Sequence, residues 1–206
     1  MTNLHIQSVR SPFGEPSLVS AAIGALTRAD AMGLLLRPVT CLDYPAIQKL
    51  VADMSAAGIG RSFSAELHRM HRSDAAGLST LLEKVNEALE LSPAPAHEWR
   101  TLQSVLGVEL LTRLLGISQS SVRRYISGDR STPDEIAAQL HFLAFVVGDL
   151  AGAYNDIGVR RWFDRPRKRL DGNTPAQALG DIWSPECDRP RRVRELARAL
   201  ASSPAT

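Results

Sequence analysis

Aromatic residues are scarce in this chain of 206 residues, at 5% of the sequence, and runs of β-branched residues are rare as well. The core must therefore be built mainly from aliphatic side chains and alanine. Leucine and alanine are abundant, and both favour helix over strand. The composition predicts an all-α fold.

Cysteines and long apolar runs are also few. Cys41 and Cys187 lie far apart and lack the CxxC spacing of redox and zinc motifs, so we expect buried or free thiols in a reducing cytoplasm. No apolar run approaches the roughly 18 residues that span a bilayer. Residues 1–16, MTNLHIQSVRSPFGEP, do not contain the long apolar stretch of a signal peptide. We therefore expect a cytoplasmic protein without a membrane partner.

Sequence motifs of catalysis and cofactor binding are missing too. The chain contains no GxSxG, P-loop or GxGxxG pattern. His68 and His71 have the spacing to share a metal ion, but no third ligand accompanies them, and Glu66 does not complete an HExxH motif. His141 lies in an apolar stretch and is expected in the core, and the acidic neighbours of Cys187 disfavour a thiolate. We therefore expect neither an enzyme nor a cofactor or metal site.

Charge is distributed unevenly, although the formal net charge is only +2. Residues 96–155 hold five basic and six acidic residues, whereas residues 156–206 hold eleven basic and seven acidic ones. Proteins gain affinity for DNA by neutralising its phosphates, and the central segment alone offers little of this. Any DNA binding by residues 96–155 is therefore expected to need a homodimer or the help of C-terminal arginines.

Proline and glycine divide the chain into three predicted regions. Residues 1–95 form an N-terminal helical extension of unknown role, in which the stretch 34–39 (LLLRPV) fits either a short strand or a buried helix end. Residues 92–96 (SPAPA) are expected to be an extended linker. Residues 96–152 form a helix-turn-helix region, and residues 153–206 form a small helical C-terminal domain.

The most informative segment is 110–136, LLTRLLGISQSSVRRYISGDRSTPDEI, which predicts two helices joined by a sharp turn. Gly116 permits the positive φ that such a turn requires. Ser118 is a favourable N-cap for a helix from about Gln119 to Ser127, and Gly128 is suited to end that helix in a left-handed conformation.

The helix that follows this segment is predicted to begin with a capping box. Thr132 is expected as the N-cap, with Pro133 at the first helical position and Glu135 at the third.

A helix-turn-helix presents the N-terminal residues of its second helix to the major groove of DNA. Glutamine pairs with adenine and arginine with guanine, and short serines let the helix approach the phosphates. Two helices joined by glycine occur in many helical proteins, and paired arginines are usually only solvated, so the combined pattern carries the prediction. The predicted DNA-binding residues are Ser118, Gln119, Ser120, Ser121, Arg123, Arg124 and Arg130.

The second informative block is residues 158–179, GVRRWFDRPRKRLDGNTPAQAL. Trp162 is suited to anchor a small helical core, while Gly172 and Pro175 would fix a tight turn before the next helix. Trp162 and Leu170 fit a purely structural role equally well. The basic run within this block fits a solvated face, a DNA phosphate contact or the surface of an acidic partner.

Together, the two blocks resemble the Xre/MbcA/ParS antitoxins over about residues 99–200. The first block is similar to the family's Xre-type helix-turn-helix, and the second matches the order and spacing of its toxin-binding signature. The resemblance implies the antitoxin of a type II toxin–antitoxin pair. Such a protein binds and blocks a RES-type, NAD-degrading toxin and represses its own promoter. The toxin-binding residues that the resemblance implies are Trp162, Pro166, Leu170, Gly172, Pro175, Leu179, Arg194 and Arg198.

Residues 1–95 depart from the family, whose members are typically shorter. Three functions therefore stay open. The chain is an antitoxin and autorepressor, a stand-alone helix-turn-helix regulator without a toxin partner, or an interaction protein whose helix-turn-helix no longer binds DNA.

Overall fold

The structure, a computed structural model, describes residues 3–72 and 74–201. The chain divides into two compact units, residues 1–93 and 94–206. Helix is the dominant secondary structure in both units. None of the described helices has the length and apolar composition that crossing a membrane requires.

Within its described residues, the first unit consists of four helices and a two-stranded sheet. The sheet departs from the predicted helical extension, in which the sequence allows a strand at residues 34–39 alone. Its strands run parallel, with Leu4 opposite Val39 and Val9 opposite Leu42. The strands are β1 (Leu4–Val9) and β2 (Val39–Leu42), and the helices are α1 (Pro16–Ala31), α2 (Tyr44–Ala56), α3 (Phe63–Arg69) and α4 (Ala75–Leu91).

The stretch 34–39, for which the sequence allows a strand or a helix end, is for the most part neither. After α1, Gly33 turns the chain with a positive φ of 75°, and the amide of Leu34 donates to the carbonyl of Ala29 at 2.8 Å. Leu34 is then buried in irregular backbone, and only Val39 belongs to β2. Burial of Leu34 and Leu35 therefore comes from the turn at the end of α1 and not from a regular element, and Leu36 is exposed.

Over residues 94–201 of the second unit, six helices and one turn of 3-10 helix share a single core. The helices are α5 (Pro95–Leu115), α6 (Gln119–Ser127), α7 (Asp134–Ala151), α8 (Asp156–Phe163), α9 (Pro175–Leu179) and α10 (Asp188–Ala201), and the 3-10 turn is Lys168–Leu170. Because α7 packs against both α5 and α10, the predicted division after residue 152 lies inside this unit.

The beginning of α5 corrects the predicted linker at residues 92–96. Pro95 is already the first residue of the helix, a position that suits proline because its missing N–H would have no intrahelical partner. Farther along, Gly107 interrupts α5 with φ 75° and ψ 164°, a conformation that is essentially restricted to glycine. The helix therefore consists of two segments, 95–106 and 108–115, a break that the sequence analysis did not predict.

The C-terminal end of α5 is closed by a loop from much later in the chain. The indole N–H of Trp183 donates to the carbonyl of Leu114 at 2.8 Å, and the side-chain amide of Gln139 donates to the carbonyl of Trp183 at 2.6 Å. Gly116 follows with a φ of 63°, and a Cβ at this position would lie 2.2 Å from the carbonyl oxygen of Asp181. Only glycine fits this turn without moving the loop.

The predicted capping box of α7 is wrong. The helix begins at Asp134, Pro133 precedes it with an extended ψ of 152°, and no side chain caps its first turn. The hydroxyl of Thr132 is engaged elsewhere, since it accepts a hydrogen bond of 2.9 Å from the indole N–H of Trp99. A tertiary contact therefore takes the group that the local pattern assigns to the cap.

Glu98 and His141 form a buried polar pair between α5 and α7. The Nδ1 atom of His141 lies 2.5 Å from Oε1 of Glu98, and both residues are buried. This position confirms the expectation that His141 belongs to the core. A buried carboxylate needs such a partner, because an unpaired one is costly to remove from water.

The turn at Gly116 gives the first prediction, with Gly128 as its matched control. Both glycines have positive φ, at 63° and 80°, so alanine costs about 1–2 kcal/mol at either position. Only at Gly116 does the new methyl meet backbone, whereas nothing lies within 4 Å of a Cβ at Gly128. Gly116→Ala should therefore lower the free energy of unfolding by a further 1–3 kcal/mol or so.

Urea denaturation followed by tryptophan fluorescence measures this difference. All three tryptophans, Trp99, Trp162 and Trp183, belong to the second unit, so the signal reports its unfolding alone. Equal losses of unfolding free energy in Gly116→Ala and Gly128→Ala would contradict the close contact between a Cβ at position 116 and the carbonyl of Asp181.

Candidate nucleic-acid interface

The turn between α5 and α6 sets the direction of α6. Gly116 is left-handed, and the amide of Ile117 still donates to the carbonyl of Thr112 at 3.3 Å. Ser118 is extended, with φ −71° and ψ 151°, and its Oγ accepts from the amide of Ser121 at 3.2 Å. The predicted turn and N-cap are thus confirmed residue by residue. Gly128 ends the helix at φ 80°, also as predicted.

One side of α6 is fixed in the core of the second unit. Val122 is fully buried, and Tyr125 stacks on Trp99 with ring centroids 5.6 Å apart. The indole of Trp99 is itself held by its hydrogen bond to Thr132. Ile126 packs against the same core but is only partly buried. These contacts fix the rotation of α6 about its own axis.

The opposite side of α6 is open to solvent. Gln119, Ser120, Arg123 and Arg124 are all exposed. Among the residues that the structure describes, the side chains of Gln119, Arg123 and Arg124 form no hydrogen bond or ion pair. Their donors and acceptors are therefore available to an external partner, as expected of side chains that contact base edges.

The serines at the beginning of α6 are partly engaged within the protein. The Oγ of Ser118 lies 2.9 Å from Oγ of Ser120 and 3.0 Å from Oγ of Ser121, besides capping the helix. Ser121 is only partly exposed. Arg130 is exposed just past the helix, with its guanidinium carbon 5.6 Å from the ring centre of Tyr125. Ser118 thus has a structural role in addition to any contact with phosphate.

A cleft of about 710 Å³ lies beside α6. Arg113 of α5 and Arg160 of α8 line it together with Gln119 and Arg123. Neither Arg113 nor Arg160 is among the predicted DNA-binding residues, although Arg160 belongs to the basic run for which the sequence allows a phosphate contact. Nothing local marks Arg113, and only the fold brings Arg160 to the cleft lined by Gln119 and Arg123, about 40 positions earlier. The break at Gly107 forms one wall of this cleft.

The residues implied as toxin-binding fall into two groups by burial. Trp162, Leu170, Pro175 and Leu179 are buried, and Trp162 is only 1% exposed. Their side chains hold the second unit together, which is the structural role that the sequence leaves open for Trp162 and Leu170. A capping box of Thr174 and Gln177 forms at the start of α9, as the spacing of threonine and glutamine at residues 174–177 favours. The remaining four residues, Pro166, Gly172, Arg194 and Arg198, are exposed or partly exposed.

The arginines of α10 differ in what they contact. Arg194 is partly buried, with its guanidinium carbon 4.7 Å from the ring centre of Phe145. Arg198 is exposed, and its Nε lies 3.8 Å from a carboxylate oxygen of Asp149. Arg192 donates to Asp171 at 3.0 Å, and this hydrogen bond raises the pKa of the guanidinium above its ordinary value. Of the two arginines implied as toxin-binding, Arg194 and Arg198, the second is the more accessible.

Comparisons with known proteins return no relative of the chain. No family model matches it, and neither a curated protein nor a solved structure shows significant similarity to it.

The N-cap of α6 gives the second prediction. Ser118→Ala should lower the free energy of unfolding of the second unit by about 1 kcal/mol, because the amide of Ser121 loses its acceptor. Ser120→Ala is the matched control and should stay within about 0.5 kcal/mol of the parent protein. Urea denaturation followed by tryptophan fluorescence measures both. A similar loss in the two variants would argue against a specific cap.

Proposed function

We propose that the chain is a DNA-binding regulator that inserts α6 into the major groove, and that it is the antitoxin of a type II toxin–antitoxin pair. The observation that carries the DNA-binding part is the exposed face of α6. Gln119, Arg123 and Arg124 project from a helix whose other face is fixed by Val122 and Tyr125. A rigid helix with unpaired polar side chains is what base recognition requires.

The chemistry of these side chains fits base edges in the major groove. The groove is about 12 Å wide and admits an α-helix. Glutamine can pair with adenine through two hydrogen bonds and arginine with guanine, and each such pair contributes about 1–3 kcal/mol of discrimination. Helix-turn-helix proteins generally bind two half-sites as twofold dimers, so a homodimer on the protein's own promoter is part of the proposal.

The toxin-binding part of the proposal rests on the resemblance of residues 158–179 to the antitoxin signature. The accessible members, Pro166, Gly172 and Arg198, would contact the toxin, while the buried members support the surface that presents them. The proposed partner is a RES-type, NAD-degrading toxin.

A stand-alone regulator is the alternative function. Four of the eight residues implied as toxin-binding serve the core of the second unit. Selection for folding alone would retain these four, including Trp162 and Leu170, in a protein that has no toxin partner.

Gel-shift titration on the DNA upstream of the protein's own gene tests the first part. Arg123→Ala and Arg124→Ala should each cost about 1–3 kcal/mol of binding free energy if the arginine pairs with a base, and should relax specificity at one position. Arg61→Ala removes the same charge from an exposed position in the first unit and should leave affinity nearly unchanged. Equal affinity of all three variants and the parent protein would refute base recognition by α6.

Co-expression with the polypeptide encoded next to this chain tests the second part. The parent protein should restore growth and co-purify with that polypeptide. Arg198→Ala should weaken the complex roughly tenfold, the cost of one charge-assisted hydrogen bond. Arg191→Ala, an exposed change on the same helix, is the matched control. Intact DNA binding without any complex would favour the stand-alone regulator.

A further inference from the structure

The cleft beside α6 brings together three arginines from three separate parts of the second unit. Arg113 comes from the last segment of α5, Arg123 from α6 and Arg160 from α8. Gln119 lines the same space, one helical turn before Arg123. At about 710 Å³, the cleft is large enough to admit a phosphate group with its hydration.

Two of these arginines contact other groups of the protein. The Nε of Arg160 donates to the carbonyl of Val105 at 2.7 Å, near the end of the first segment of α5. An Nη of Arg113 lies 2.6 Å from Oδ1 of Asp164. The bond to Val105 fixes Arg160 and so lowers the conformational entropy that its binding to a ligand costs.

Acidic groups face the cleft as well. Asp164 and Glu109 line it, so the three arginines leave one net positive charge. Asp164 competes directly with any external anion for Arg113. The ion pair between them is more than half exposed on both sides, so it stabilises the fold only weakly and is easily exchanged.

We propose that this cleft binds a phosphate group, supplied by the DNA backbone that borders the major groove occupied by α6. The proposal rests on the proposed function, since it takes α6 as the base-contacting helix. Arg113 and Arg160 are the phosphate contacts, and Asp164 limits their strength. Gln119 and Arg123 connect the phosphate-binding cleft to the base-contacting face of α6, because they line the cleft and also belong to that exposed face.

The geometry explains why the ligand is a phosphate. Guanidinium groups are planar and donate two parallel hydrogen bonds to phosphate oxygens. A helix lying in the major groove has a sugar–phosphate strand along each side, and the cleft runs along one side of α6. Arg160 also supplies charge from outside residues 96–155, which hold five basic and six acidic residues. The cleft thus adds positive charge that residues 96–155 lack by themselves.

The test compares binding to the upstream DNA and to a random-sequence duplex as salt concentration is varied. Arg113→Ala and Arg160→Ala should each weaken binding to both duplexes about tenfold and should lower the slope of log K against log salt by about one. Asp164→Asn should act in the opposite direction and strengthen binding to both by roughly two- to fivefold.

The matched control is Arg161→Ala. Arg161 follows Arg160 on α8 with the same charge but lines a different depression, so its removal should change neither affinity nor slope appreciably. Tryptophan fluorescence in urea shows whether Arg160→Ala keeps its fold after losing the bond to Val105. If Arg160→Ala does not fold, Arg113→Ala and Asp164→Asn decide whether the cleft binds phosphate, because neither residue takes part in the bond to Val105.

A free phosphorylated molecule is the second possible source of the phosphate. Sodium pyrophosphate, added to the protein without DNA, distinguishes the two sources by its effect on the midpoint of thermal unfolding. If the parent protein binds no DNA but pyrophosphate raises its midpoint and fails to raise that of Arg113→Ala, the cleft is a phosphate site and the proposed function is wrong.

Two results would overturn the cleft as a phosphate site. In the first, the parent protein binds its upstream DNA specifically, and folded Arg113→Ala and Asp164→Asn bind both duplexes as the parent does; the proposed function then survives. In the second, the parent protein responds to neither DNA nor pyrophosphate, and both proposals fail together.

Discussion

The carbonyl of Leu114 accepts a hydrogen bond from the indole of Trp183, 69 residues later in the chain, and the surrounding structure depends on this contact. The same loop brings the carbonyl of Asp181 against Gly116, where no side chain fits. The turn that directs α6 is therefore held from outside by the C-terminal part of the second unit. For this reason α5 and α6 share one core with α8, α9 and α10 and do not fold around a separate one.

Buried polar groups fix the relative positions of the helices in this core. Glu98 and His141 join α5 to α7, and the amide of Gln139 joins α7 to the loop that carries Trp183. The indole of Trp99 binds Thr132 just before α7 begins. Buried hydrogen-bonding groups are costly to leave unpaired, so each of these contacts disfavours alternative registers that a purely aliphatic core of leucine and alanine would tolerate.

The distribution of charge over the surface differs from its distribution along the chain. Counted along the chain, residues 96–155 are slightly acidic and poorly suited to DNA. In the folded unit, Arg160 stands beside Arg113 and Arg123, although it belongs to the basic C-terminal segment. Under the proposed function, Arg160 is the C-terminal arginine placed to assist α6. Electrostatic attraction acts through space, so the distribution of charge over the surface matters more than the count in a segment.

The sequence by itself determined the local features: the left-handed turn at Gly116, the serine cap and bounds of α6, and the capping box of α9. These depend on residues within a few positions of one another, where backbone conformation and side-chain hydrogen bonding follow from residue type. The tertiary structure alone decided the break at Gly107, the diversion of the Thr132 hydroxyl to Trp99, the parallel strands of the first unit and the cleft at Arg160. The last three of these join groups that are far apart in the chain. The break at Gly107 is a conformation that glycine permits but does not impose. Only packing selects among such possibilities.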